Sequence, residues 1–259
     1  MMTQNEMMTL VPQKLAEIEK AYNVTVLYAA ESGSRAWGFA STDSDFDVRF
    51  IYKRAKDDYL RLELVRDVIE EPVDEVWDVA GWDLDKTLRL LFNSNPAIFD
   101  WIGSPVCYLD TGFRARFLPL IREYYSRERM LYHYLHMAER NIGDVNAKDT
   151  VRPKKYFYAL RPVLACQWVL GSDFAPPVQY AELTDALLPP SLRGVHDTVM
   201  DLKQNAPEKA EIVHIDELDR FLKESVEQIR GAMRALPPEE KKGWDGLNRF
   251  FLSEIGSEQ

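Results

Sequence analysis

Cysteine and histidine are scarce in this chain, two and four among 259 residues. Cys107 and Cys166 stand far apart, with no second cysteine or histidine at metal-ligand spacing. That excludes a zinc knuckle and a disulfide framework, and leaves two free thiols expected to be buried. His133 and His136 share a helix face but have no acidic partner at a ligand offset, so they do not read as a metal site. No apolar run approaches the roughly 20 residues that span a bilayer. The opening MMTQNEMMTLVPQKLAEIEK lacks the basic-then-apolar order of a signal peptide, so a cytoplasmic location and no membrane partner are expected. An excess of positive charge is also missing: 32 Lys and Arg face 42 Asp and Glu, a net charge of −10. Long-range, non-specific attraction to nucleic acid is thereby excluded. An enzyme that handles only a nucleic-acid terminus is not, because it needs few phosphate contacts. There is no internal repeat and no low-complexity tract.

What is present is a folded composition, 46% hydrophobic and 29% charged, in a chain long enough for two ordinary domains. Val11 to Ala21 has helical periodicity, and Val24 to Ala30 is a short β-branched and apolar run, a strand. The Gly- and Ser-rich stretch ESGSRAWGFASTDSD follows, with turn chemistry and room for a short helix. Asp45 to Tyr52 alternates polar and apolar residues before turning apolar, the pattern of a half-exposed strand. Two more strands are predicted within Arg61 to Glu70 and Val73 to Val79, the latter ending at a turn on Gly81. From Asp83 the period becomes helical, with Leu84, Leu88, Leu91 and Phe92 on one face and Asp83 as the cap. Asn95-Pro96 opens another short helix, ending near Gly103. Beyond about residue 110 the chain reads helical, over 111–124, 126–146, 153–170, 189–204, 216–236 and 239–254. In the fifth of these, Leu218, Leu222, Val226, Ile229 and Met233 form an apolar core-facing stripe. The predicted class is α+β: a small mixed β-sheet catalytic domain with flanking helices over residues 1–110, then a C-terminal helical domain over 111–259.

The chemistry concentrates in Gly33-Ser34, ten intervening residues, and Asp45-Phe46-Asp47-Val48. Carboxylates two apart on a strand project to the same face, where they repel unless a cation lies between them. Carboxylate oxygens suit a hard cation such as magnesium, which completes its shell with water and substrate phosphates. The upstream glycine lets backbone approach a phosphate closely, and the serine offers a hydroxyl and an N–H. Arg49 follows on the face of Asp45 and Asp47, placed to meet a phosphate or restrain a carboxylate. Arg35 is a second candidate phosphate contact, while Trp37 and Phe39 read as support behind the loop. Read blandly, a Gly-Ser dipeptide and an Asp-x-Asp pair are both common turn features; it is their order, strand, Gly-Ser turn, acidic strand, that points to a site.

The block GSRAWGFASTDSDFDVRFIY resembles the signature of the polymerase-beta superfamily of nucleotidyltransferases, Gly-Ser followed about a dozen positions on by Asp-apolar-Asp-apolar. It is most similar to the RNA-repair-associated branch known as RlaP or YcgL-like. AGWDLDKTLRLLFNSNPAIFDWIGSPVCY, HMAERN and RPKKYFYALRPVLACQWVL resemble that branch too, over most of residues 25 to 170. Ser32 stands where the superfamily has an apolar residue. The resemblance implies a third carboxylate on a neighbouring strand: Asp78, between Trp77 and Val79, is the choice, with Asp74 and Asp83 as competitors and Asp83 favoured as a helix cap. It implies two Mg2+ ions, with Mn2+ as a substitute, held by Asp45, Asp47 and Asp78. Gly33 and Ser34 would grip the phosphates of a nucleoside triphosphate such as ATP. Among the basic residues Arg152, Lys154, Lys155 and Arg161, the set Lys154, Tyr158 and Arg161 shares one helix face. That face is either a solvated basic edge or, as the resemblance implies, a clamp on triphosphate and base. The implied reaction transfers a nucleoside monophosphate to an acceptor hydroxyl with release of pyrophosphate. An RNA 3′ end ranks first as acceptor, ahead of a protein or an aminoglycoside-type small molecule, with a catalytically silent nucleotide-binding regulator as the rival.

Overall fold

In chain order the computed structural model, which describes residues 2–41, 44–72, 77–205, 210–240 and 242–256, begins with α1 (Gln4–Tyr22), β1 (Thr25–Glu31), α2 (Gly33–Ala36) and β2 (Phe46–Lys53). A 3-10 turn (Lys56–Leu60), β3 (Val68–Glu70), β4 (Trp77–Asp83), α3 (Leu84–Phe92), α4 (Pro96–Gly103), β5 (Cys107–Asp110) and α5 (Phe113–Tyr124) follow. Then come α6 (Arg127–Val145), β6 (Thr150–Val151), α7 (Pro153–Gly171), α8 (Tyr180–Leu187), α9 (Pro190–Asn205), β7 (Ile212–Val213), α10 (Asp216–Arg234) and α11 (Asp245–Gly256). The mixed α+β class expected from the sequence is the class observed. No helix among the described residues is long and apolar enough to cross a membrane.

The chain forms two units, one of residues 1–36, 43–125 and 241–259, the other of 37–42 and 126–240. This division differs from the boundary expected at residue 110 in three ways. α5 belongs with the sheet, α11 returns to it, and six residues directly after α2 belong with the helices. The return of α11 rests on long-range contacts. Glu254 is buried and takes a two-pronged ion pair from Arg116, at 2.7 and 3.0 Å. Phe250 packs on Phe113 and Phe117, and Trp244 stacks on Phe92 at 3.8 Å.

The first unit is a five-stranded sheet in the order β3-β4-β2-β1-β5. β2 and β4 run parallel, and the other pairs are antiparallel. α1 starts on a capping box, with Thr3 accepting from the Glu6 amide and Glu6 answering the Thr3 amide. Its buried stripe Met7, Val11, Leu15 and Ile18 covers one sheet face, meeting Phe46, Val48 and Phe50 of β2 and Val79 of β4. Because a strand alternates, Asp47 and Arg49 are turned to the other face. α3 is capped by Asp83, which accepts from the Asp85 amide at 3.3 Å, and α4 by Asn95, with Pro96 opening the helix. Gly81 does not make the expected turn. It lies inside β4, where an added Cβ would stand 2.2 Å from the Phe50 ring, so glycine is there for close approach. The strand expected within Arg61 to Glu70 is Val68–Glu70, and residues 73–76 of the next expected strand lie outside the described residues.

In the second unit α7 is the buried centre, with Tyr156, Phe157, Leu160, Val163, Leu164 and Val169 all sealed from solvent. α10 presents the expected stripe, Leu218, Leu222, Val226 and Ile229 being buried and Met233 half-buried. Segment 37–42 is held in this unit by an amide bond from Tyr180 to the Trp37 carbonyl at 2.9 Å and by a bond from Lys203 Nζ to the Phe39 carbonyl. Phe39 also packs on Phe157 and Tyr180.

Candidate functional site

β2 and β4 set two carboxylates side by side. In their parallel register Asp47 is opposite Asp78, and both point away from the α1-covered face. Arg49, two residues on from Asp47, joins them: its guanidinium donates to Asp47 Oδ1 at 3.0 Å, to Asp78 Oδ2 at 2.7 Å and to the Asp78 carbonyl at 2.8 Å. Asp45 precedes the strand by one residue and is exposed. Its parity puts it on the same face, and its charge acts on Asp47.

The glycine-serine turn closes against this edge. Gly33 has φ +59°, in the left-handed region, and a Cβ built on it would stand 2.0 Å from Asp47 Oδ2 and 2.9 Å from its Cγ. The Ser32 amide donates to the Asp47 carbonyl at 2.8 Å. Arg35 reaches across the gap in sequence, donating to the carbonyls of Ser44 and Asp45 at 2.6 and 3.1 Å, with its guanidinium 3.7 Å from the centre of the Phe46 ring. It therefore braces the two halves of the motif against each other. The spacing of Gly33-Ser34 and Asp45-x-Asp47 in sequence thus becomes one small cluster in space.

Behind Asp47 lies a carboxylate that composition and spacing did not single out. Glu31, the last residue of β1, is wholly buried. It accepts the Asp47 amide at 2.7 Å on Oε1 and the Tyr108 hydroxyl on Oε2, and Tyr108 in turn accepts from Gln4 at 3.0 Å. Both peptide groups of Asp47 are consequently held from β1 and the turn that follows it. The signal in the sequence was a lone acid closing the apolar run VTVLYAA just ahead of the turn. Burial pushes Glu31 up to about 7, with the Asp47 charge adding to the shift and the bonds from Tyr108 and the Asp47 amide opposing it. Asp47 is raised too, first by burial, then by the charges of Asp78 and Asp45, with Arg49 and Arg35 working the other way.

The competitors for the third carboxylate separate clearly. Asp83 is buried at the far end of β4, opposite Tyr52, where it caps α3, pairs with Arg54 at 3.1 Å and accepts from Tyr59 at 2.7 Å. Burial pushes it up to about 6. Asp74 lies outside the described residues. Among the described residues no three His, Cys, Asp or Glu side chains converge into a preformed metal cage. Asp47 and Asp78 close on Arg49 instead.

The basic candidates lie in the second unit. Arg152 precedes α7, whose exposed edge carries Lys154 and Tyr158, the latter 39% exposed. Arg161 is buried, its guanidinium 4.2 Å from the centre of the Trp37 ring, and Tyr158 meets the same ring edge-on at 5.8 Å. Trp37 and Phe39, expected behind the loop, are thus packed against α7. Lys155 donates to the Asp144 carbonyl at 2.8 Å. Cys107 and Cys166 are free thiols, Cys166 buried as expected and Cys107 only half-buried.

A model of the family RlaP, described as the RNA repair pathway DNA polymerase beta family, matches residues 7–253 of the chain. The protein YcgL of Bacillus subtilis (strain 168) is 41% identical over 244 residues, which are 93% of this chain and 94% of the relative. Among solved structures, a nucleotidyltransferase-like protein from Exiguobacterium sibiricum 255-15 is similar at 11% identity and a TM-score of 0.33, over 86% of this chain and 74% of that one.

Proposed function

The chain belongs to the RlaP family of polymerase-beta-like nucleotidyltransferases, and from that premise we propose that it moves a nucleoside monophosphate from a nucleoside triphosphate to an RNA 3′ hydroxyl, releasing pyrophosphate. The observation that carries this reading is the contact of the turn with the strand: the position a side chain would take on Gly33 is filled by the carboxylate of Asp47. A phosphate brought against the backbone of Gly33 and Ser34 is therefore brought against the acidic edge as well.

Asp45, Asp47 and Asp78 offer only carboxylate oxygens, the hard donors that magnesium takes. Burial raises the Asp47 carboxyl, Arg49 opposes the shift, and the neighbouring charges of Asp78 and Asp45 add to it. We assign to this donor set two magnesium ions, with manganese as a substitute; such ions would, when bound, lower the pKa of an attacking hydroxyl and neutralise a leaving pyrophosphate. The chain's own groups do the placing. Glu31 and Ser32 fix the Asp47 peptide, and Asp78 sets its carboxylate alongside. Gly33, with no Cβ, lets the triphosphate approach the backbone of the turn, and Ser34 offers its hydroxyl and N–H. Arg49 shares its charge between the two aspartates and is within reach of a phosphate on the same face. Arg35 keeps the turn and strand in register. Within the second unit, Tyr158 is the exposed ring suited to stacking on a base, and Arg161 is the cation buried against Trp37.

The test is transfer of an α-phosphate-labelled triphosphate, each of the four nucleotides in turn, to RNA ending in a 3′ hydroxyl. The same RNA ending in a 3′ phosphate, the chain alone and an aminoglycoside serve as alternative acceptors. The expected result is labelled RNA only with the free hydroxyl and divalent metal, with equimolar pyrophosphate, and loss of at least about 1,000-fold on Asp47→Asn. Label on protein or on the small molecule overturns the acceptor. Triphosphate binding without pyrophosphate release overturns catalysis in favour of a nucleotide-binding regulator.

A further inference from the structure

One stretch of the first unit has a side-chain pattern at odds with its backbone. From Leu60 to Leu64 leucine alternates with Arg61 and Glu63, the period of a strand with one apolar face. Yet residues 61–67 join no ladder among the described residues, and Leu60, Leu62 and Leu64 are 71%, 101% and 101% exposed. The row leads directly into β3, the edge strand of the sheet. Sheet edges are ordinarily protected by charge, proline or a covering element. Here the edge is extended by bare leucine.

The sequence itself names the occupant. Counting outward from Leu62, Arg61 matches Glu63, and Leu60, the last residue of the 3-10 turn, matches Leu64. Apolar residues answer apolar ones and each charge answers its opposite. Such a segment is complementary to itself when it runs antiparallel about a two-fold axis at Leu62. A parallel pairing would set Arg61 on Arg61 and Glu63 on Glu63. In the single chain Arg61 is held by Asp58 at 2.7 Å, while Glu63 makes no ion pair among the described residues. A small ligand is a poor alternative. The cavity of about 540 Å³ alongside is lined by Arg54, Arg61, Arg66 and Arg89, each already paired with an acid.

We propose that residues 60–64 pair with the same segment of a second copy of this chain as an antiparallel two-stranded ribbon, with Leu62 on the axis. The interface is isologous, so each Arg61–Glu63 pair occurs twice and the leucines of both copies gather on one face. A ribbon this short buries less than the roughly 800 Å² per partner of a standard interface, so the dimer is weak and concentration-dependent. The proposal is independent of the catalytic reading.

Sedimentation of the full chain from about 1 to about 300 µM tests it. The wild-type chain is expected to pass from monomer to dimer over that range. Arg61→Glu alone sets acids against one another across the axis, and Glu63→Arg alone sets cations against one another. Each weakens self-association at least about 10-fold. Mixing these two variants restores every opposite-charge pair in the heterodimer, so the mixture associates at least as well as the wild type. The doubly swapped Arg61→Glu, Glu63→Arg chain also regains dimerisation. Glu63→Arg leaves thermal melting unchanged, since Glu63 is exposed and makes no ion pair among the described residues; the two variants carrying Arg61→Glu lose the ion pair to Asp58, so their fold is checked by circular dichroism at the sedimentation temperature. A wild-type chain monomeric at 300 µM overturns the proposal, as does a dimer indifferent to the swaps or a mixture no better than its separate components.

Discussion

Replacing Gly33 by alanine separates the backbone role of this residue from its role in the site. The new methyl adopts a left-handed backbone at φ +59°, which costs an L-residue about 1–2 kcal/mol. It also arrives 2.0 Å from Asp47 Oδ2. Ordinary contact begins at 3.4 Å, so the oxygen must move by 1.4 Å (3.4 − 2.0) or the turn must lift by as much. Either movement displaces the turn from the carboxylate whose other oxygen holds the 3.0 Å bond to Arg49. A displacement of about 1 Å in a catalytic array costs on the order of 100-fold in rate, or about 2.7 kcal/mol of transition-state free energy. Gly38→Ala supplies the control. Its φ is +84°, so the backbone penalty is similar, but a Cβ there meets nothing within 4 Å. Thermal unfolding followed by circular dichroism is expected to show a loss for both variants, the larger for Gly33→Ala because its methyl also meets Asp47. Turnover is expected to fall about 100-fold for Gly33→Ala and to stay within about threefold for Gly38→Ala. If Gly33→Ala lost no more turnover than Gly38→Ala, the turn and the acidic edge would not form one site and the proposed function would lose its support.

Three further outcomes follow from the same geometry. Asp78→Asn removes one of the two acids that share Arg49; turnover is expected to fall at least about 100-fold with a weaker magnesium response, while stability, measured by urea unfolding, changes by under about 1 kcal/mol because the pair is partly exposed. Glu31→Gln tests the buried carboxylate through pH. With its pKa raised from 4.5 to about 7, folded wild-type chain holds a proton that the unfolded chain releases. Wild-type stability therefore declines as pH rises from about 4.5 to about 7, by up to about 3 kcal/mol. The glutamine variant lacks that decline, so the stability difference between the two chains should shift in the variant's favour from pH 5 to pH 8; parallel urea curves at the two pH values would show that Glu31 does not titrate this way. Gly81→Ala drives a methyl into the Phe50 ring at 2.2 Å and should cost about 1–3 kcal/mol, partly recovered by Phe50→Leu in the same chain, as differential scanning calorimetry would register.

What the sequence disclosed follows from which interactions are local. The caps Asp83 and Asn95, the α10 stripe and the alternation of Phe46, Asp47, Val48, Arg49 and Phe50 each depend on neighbours within a turn or a strand, and each element lies where it was expected. The strand expected within Arg61 to Glu70 forms only at Val68–Glu70, where β4 supplies a partner; the alternation of residues 60–64 has none among the described residues. Gly81 read as a turn because nothing local reveals the Phe50 ring above it. β5 is only four residues long, too short to show a strand period of its own. The boundary near residue 110 failed because the contacts that return α11 to the sheet, Glu254 with Arg116 and Phe250 with Phe113, are separated by more than 130 positions. At the site, Gly33, Asp45 and Asp47 stood out through spacing, and Asp78 entered through resemblance. Glu31 escaped because its role is to hold an amide from beneath, a role that leaves no motif.

The placement of Glu31 sharpens the electrostatic argument. Asp47 feels Asp45 and Asp78 on its own face, and its charge in turn raises Glu31 behind it. Against these four acids stand two guanidiniums, Arg49 and Arg35. Arg35 is spent on the carbonyls of Ser44 and Asp45 and on the Phe46 ring, so it stiffens the motif more than it neutralises it. Arg49 alone lies between Asp47 and Asp78. A purely structural cluster would be expected to match its acids with cations or to replace them by apolar groups, because an unmatched, partly buried carboxylate is costly. This edge does neither, and the backbone around it is held by Glu31, Ser32 and Arg35. Acids gathered on a fixed backbone, beside a turn that has no Cβ at Gly33, are what a site for cations carrying phosphates requires, and they are difficult to account for as packing.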